Sequence, residues 1–317
     1  MRHGGLPLYA GVALLALLLA LAACGPVFMP QDPTEMHTTR YFAAPDGKLA
    51  LKTPPFPPSA EFPWGTDYLG RDIMSRFLSG CRYTLLLALG AVLVRFILAV
   101  PLGLLATQPA LSLLGRLVSG AAALGGAVPT LFVSLIVISV LASFARDIVW
   151  SVLVFIGVLG VVGAPRLAED IRRAGRGIMV QPFIEAAQAT GCSAARIAVR
   201  HVLPGLVPRL LVAFPLEAAN VLGLIGQLGL FGIFIGRSFE MECWVDLAGS
   251  GAVFTWFDIR IEPATGEWSS SLAWARHFMR QAPWMFLPAM GGFLLAILGF
   301  SLLGEGLRRR LHGGGAA

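Results

Sequence analysis

Two ionisable residues lie where a charge is expensive. Arg95 and Glu217 each sit inside a long apolar stretch. A charge at that depth costs about 3 kcal/mol or more unless it is paired or wetted, so both are candidates for a translocation pathway. An ion pair that only fixes helix packing is the competing reading. A second group is Gly65, Thr66, Asp67, Gly70, Arg71 and Asp72. Aspartates among glycines form turns, and the arginine offers a partner, so a structural role that orients the next span is expected. A third group is residues 185–204, EAAQATGCSAARIAVRHVLP, the polar interruption of an otherwise apolar chain.

Several chemistries are absent from the sequence. The five histidines (His3, His37, His201, His277, His312) and four cysteines (Cys24, Cys81, Cys192, Cys243) are scattered, with no metal-ligand spacing. No Gly-x-x-x-x-Gly-Lys-Ser/Thr occurs, and the only lysines are Lys48 and Lys52, so no phosphate-cradling loop of that kind exists. No cofactor or metal bound by this chain is expected. An intramembrane enzyme would need polar residues paired within spans, and only Arg95 and Glu217 qualify.

The elements that must carry these residues follow from composition. Of 317 residues, 56% are hydrophobic and 13% charged, against about a quarter charged in soluble domains. An all-α integral membrane protein is expected. Six stretches, near 8–29, 83–107, 117–141, 148–165, 207–235 and 284–304, can each span roughly 30 Å of hydrocarbon. The net charge of +6 comes almost wholly from arginine. It reflects loop placement rather than nucleic-acid binding. Arg2, Arg116, the cluster from Arg166 to Arg209 and Arg308 to Arg310 fall on one side if both termini are cytoplasmic. Trp274 and Trp284 then mark the outer interface of the last span. Leu21-Ala22-Ala23-Cys24 also fits a lipoprotein cleavage box, so a lipid-anchored scaffold is a further alternative.

Along the chain this gives a first span (1–29), a proline-rich external loop (30–82), a core of five spans (83–310) and a cytoplasmic tail (311–317). Ile73, Met74, Phe77 and Leu78 read as one face of a short interfacial helix before the second span. The loop 166–206 reads as a cytoplasmic helical hairpin. Pro182 opens its first helix, Gly191 stops it, Ser193 caps the second, and Pro204 restricts the far end. Gly157, Gly160 and Gly163, with Gly223, Gly226, Gly229 and Gly232, read as sites of close helix packing. Residues 237–281 form a long external loop.

Glu185-Ala186-Ala187, Gly191, Arg200-His201 and Leu203-Pro204 resemble the signature loop of ABC-importer permease subunits. Gly65-Thr66-Asp67, then Gly70-Arg71-Asp72, resembles the external motif of the C-type subunits of dipeptide, oligopeptide and nickel importers. Together the two resemblances cover most of residues 62–310. They imply a type I importer permease of about six transmembrane helices in the cell inner membrane, carrying peptides or a related small solute. The hairpin, through Glu185, Ala186, Ala187, Gly191, Arg196, Arg200, His201, Leu203 and Pro204, would dock on an ATPase. Implied partners are a second permease subunit, two ABC ATPase subunits that hold ATP and Mg, and an external substrate-binding protein. One departure from the pattern is an added acidic and aromatic segment, residues 237–267.

Overall fold

A computed structural model describes residues 5–38, 40–43, 49–142, 147–235, 239–246, 252–259 and 266–312. The order is α1 (Leu6–Cys24), β1 (Arg40–Ala43), β2 (Leu49–Lys52), α2 (Ile73–Leu105), α3 (Ser112–Ala127) and α4 (Thr130–Ala142). There follow α5 (Ile148–Met179), α6 (Pro182–Ala189), α7 (Ala194–Ile197), a π turn (Ala198–Val202) and α8 (Leu203–Leu230). The chain ends with β3 (Phe239–Asp246), β4 (Ala252–Ile259), α9 (Trp268–Phe278) and α10 (Leu287–His312). Among the described residues six helical segments are long and apolar enough to cross a membrane, so the expected all-α membrane architecture holds. Among the described residues the strands form two separate antiparallel hairpins.

Several boundaries differ from the sequence expectation. The fourth span does not stop at residue 165, for α5 runs unbroken from Ile148 to Met179 through the first arginines of the expected loop. The interfacial helix at Ile73 is not separate: it runs unbroken into α2, a 33-residue helix about 50 Å long. No proline interrupts it before Pro101, and Asp72 caps its start by accepting from the Ser75 N–H at 2.8 Å. The stretch 117–141 is not one helix. It breaks at Val128, which is extended (φ −110°, ψ 125°) as a residue before proline prefers, and α4 restarts after Pro129. Pro204 does not end a helix. It lies in the first turn of α8, which continues from the π turn. The stretch 237–281 holds elements of its own: β3–β4, in register from Phe239↔Ile259 to Asp246↔Ala252, and then α9.

Packing joins α2 to α5, α1 to α10, and α10 to α8. The larger core cluster includes Ala88 and Val92 of α2, Phe155 and Leu159 of α5, Leu222 and Ile225 of α8, Trp268 of α9 and Phe293 of α10. A second cluster sits at the hairpin end, with Leu104, Ile171, Ile184, Ile197, Val202 and Leu206. Of the glycines expected to pack, Gly160 abuts Val94, Gly226 abuts Phe293 and Gly229 abuts Ser269, but Gly157 and Gly223 face open space.

Candidate functional site

Three clusters collect the residues singled out in the sequence. The first is the hairpin α6–α7. Glu185 lies in the first turn of α6, where the helix dipole favours a negative charge. Gly191 has φ +80°, a conformation that a Cβ-bearing residue adopts only with strain. It ends α6, and the Cys192 N–H reaches back to the Ala187 carbonyl at 3.1 Å. Ser193 then caps α7 by accepting from the Arg196 N–H. Ile184 and Ile197 are buried against the ends of α2 and α5, which fastens the hairpin to the bundle. Glu185, Ala186, Arg196 and Arg200 stay exposed, as do the apolar Phe183 and Val199. His201 is half-buried, 6.4 Å from the Phe183 ring. The hairpin therefore presents a mixed apolar and basic knob on a rigid base.

The second cluster closes the opposite end of α2. Asp67 accepts from the Leu69 and Arg71 backbone N–H groups at 2.9 Å each, and from Arg71 Nε at 2.7 Å. Arg76 approaches the same carboxylate at 3.5 Å. Thr66 Oγ1 accepts from the Phe56 N–H, and Thr66 bridges Asp72. Gly70 (φ +78°) turns its carbonyl to the His37 N–H, which donates at 3.3 Å. Gly65 accepts the Ile73 N–H on its carbonyl at 3.1 Å. Each of these groups serves the buried turn that starts α2. Asp67, Ile73 and Arg76 also line a pocket with Tyr68, Trp268 and Trp274.

The third cluster is in mid-bundle. Arg95 of α2 pairs with Glu217 of α8 through Nη1 and Oε2, and its Nη2 donates to the Leu159 carbonyl of α5 at 2.8 Å. Arg95 is 4% exposed and Glu217 16%. Gly163 makes room for the guanidinium, since a Cβ there would overlap it. One ion pair thus ties three helices. It borders a cleft of ≈ 760 Å³ also lined by Arg166, Asn220 and Gln227.

Sequence reasoning missed two clamps. Glu169 accepts from Arg172 Nε and Nη2 at 2.6 Å, from Arg173 Nε at 2.8 Å and from Ser119 Oγ at 3.0 Å, which ties α3 to α5. Its spacing of three and four from the arginines was the available signal. Glu267 is 2% exposed and accepts from the Ile235 N–H at 2.6 Å and Ser269 Oγ at 3.0 Å. No local pattern marks it, because its partner Ile235 lies 32 residues away along the chain. Among the described residues no group of three His, Cys, Asp or Glu side chains could hold a metal ion.

The family of binding-protein-dependent transport system inner membrane components matches residues 74–239, from the head of α2 through the hairpin and α8. The chain belongs to this family. It is a permease subunit of an ABC importer, a multi-pass inner-membrane protein, and its class is transporter rather than enzyme. The permease is 27% identical over 95% of its length to a di/tripeptide transport system permease protein of Pseudomonas aeruginosa, covering 86% of that protein. It is also 27% identical, over 94% of its length, to peptide permease proteins of Brucella abortus and Brucella melitensis named as putative in their descriptions, covering 84% of each.

Proposed function

We propose that this permease carries peptides, and that it works with a second permease subunit, two ATPases and an external substrate-binding protein. Its peptide-permease relatives support the substrate class. ATP and Mg would be held by the ATPases and none by this chain. Both termini and residues 166–206 would be cytoplasmic, because the arginine clusters sit there.

The observation that carries the coupling role is the hairpin's construction. Exposed Glu185, Ala186, Arg196 and Arg200 ride on buried Ile184 and Ile197, and the chain runs on through the π turn into α8. A force applied at Ala186 or Arg200 would be transmitted along α8 to Glu217. Closure of the ATPase dimer would move the hairpin, tilt α8 against α2 and α5, and open the cleft to one side and then the other. Ala187, Gly191, His201, Leu203 and Pro204 would set the hairpin's shape. The external turn at Gly65, Thr66, Asp67, Gly70, Arg71 and Asp72 would hold the far end of α2 still meanwhile. Affinity purification of the tagged chain from its native membrane tests the assembly. Recovery of an ATPase with a phosphate-cradling loop is expected, and its loss in Glu185→Lys would place the contact at the hairpin. Purification without any ATPase would refute the proposal.

A further inference from the structure

α3 and α4 are separated by a break at Val128 and Pro129. A helix end leaves backbone groups without intrahelical partners, which protein, side chains or water must meet. Here the break borders the cleft: Val128, Pro129 and Thr130 form part of its wall. Pro129 has no N–H, so the chain leaves the helix there and α4 begins with its N-terminal turn at the cleft. That end of a helix carries partial positive charge. Among the described residues lining the cleft, Arg95 and Arg166 are cationic, and Glu217 alone is acidic. Arg95 Nε is buried without a hydrogen-bond partner, although both other nitrogens of the guanidinium are engaged.

We propose that this cleft is a station for the carboxylate of the passing substrate. The carboxylate of a short peptide would lie between Arg166 and the first turn of α4, while Glu217 faces its ammonium group. With Arg95 and Glu217 paired, Arg166 leaves the station with net positive charge in the substrate's absence. The proposal deepens the importer reading and rests on it. Half-helix N-termini facing anionic groups at membrane depth are a general solution for such sites. The cleft also has apolar wall at Leu131 and Leu224, which suits small side chains without selecting one.

Cysteine protection tests it. All four native cysteines would be replaced by Ala and Gly223 by Cys; nothing lies within 4 Å of a Cβ at that position. Asn220→Cys serves as a second probe on the same wall. In the assembled transporter, in phosphatidylcholine nanodiscs without binding protein, the rate of modification by a charged methanethiosulfonate is read with Ala-Ala and with its C-terminal amide. Ala-Ala should slow modification, and the amide should need at least about tenfold more peptide, the minimum for one lost charge-assisted hydrogen bond. Arg166→Gln should erase that difference. Equal protection by the amide, protection that follows added anionic lipid rather than peptide, or unreactive probes at both positions would each overturn the proposal. If protection fails while loaded binding protein still stimulates ATP hydrolysis, the station falls and the importer reading stands. If that stimulation is also absent, the importer reading fails as well.

Discussion

Removing Glu217 should destabilise the bundle more than removing both members of its pair. In the structure Arg95 is bonded to Glu217 and to the Leu159 carbonyl, and is 4% exposed. Glu217→Ala leaves the guanidinium with one carbonyl, in a site with little water. Breaking a buried pair in this way costs about 3–5 kcal/mol. Glu217 is 16% exposed and borders the cleft, which admits some solvation, so the low end applies. A loss of about 3 kcal/mol corresponds to a melting temperature lower by roughly 6–12 °C. The double variant Arg95→Met/Glu217→Leu removes both charges and should recover more than half of that loss, since apolar groups of similar volume often replace a buried pair at little cost. The assay is thermal unfolding of the purified permease in one detergent, followed by tryptophan fluorescence. A Glu217→Ala melting temperature within a degree of the parent, or a double variant as unstable as the single, would refute the claim that this pair ties α2, α5 and α8.

Asp72→Ala should cost about 1 kcal/mol through the lost cap on α2, whereas Asp67→Ala, which strips partners from Arg71 and the backbone, should lower expression of folded protein further; equal thermal stability of the two would reject this ranking. A cysteine introduced beside Arg173 should react with membrane-impermeant maleimide only in inverted vesicles, and labelling in intact cells would reverse the topology. Replacing residues 239–259 with a short Gly-Ser linker should leave the permease assembled, because Ile235 and Glu267, which bracket the insert, are hydrogen-bonded to each other. The same deletion should weaken docking of the binding protein, measured by co-sedimentation; unchanged docking would remove the insert from that interface.

How much of this was legible in the sequence depends on the range of the interaction concerned. The spans and hairpin could be read because their signals are local. Pro182 starts α6, Gly191 reverses the chain and Ser193 caps α7, each through backbone geometry within a few residues. Pro129 was equally local, but an apolar run hid it, and 117–141 reads as one span until Val128 proves extended. The fusion of the Ile73 segment with α2 was missed because amphipathic spacing there gives way to uniform apolarity without a break. Pro204 misled differently. The helical run passes through it, from the π turn Ala198–Val202 straight into α8, so a proline that reads as a stop need not end a helix. The Arg95–Glu217 pair could only be suspected, since cost at depth argues for some partner and not for this one. Glu267 could not be seen at all, because its contact with Ile235 depends on how the insert's two ends return to the core.

The central claim is that the hairpin transmits ATPase movement to α8. The most direct measurement is ATP hydrolysis stimulated by loaded binding protein, in reconstituted complexes carrying Gly191→Val or Glu185→Lys. Nothing lies within 4 Å of a Cβ at Gly191, so Val there acts only through the strained backbone at φ +80° and misdirects α7 with Arg196 and Arg200. Glu185 is exposed, and its favourable placement in the α6 dipole is worth roughly 0.3–1 kcal/mol, too little to unfold a bundle of six spans. Both variants should insert and fold in the membrane, and both should lose most of the stimulation. Stimulation at the parent's level in both would make the hairpin a mere connector and contradict the account.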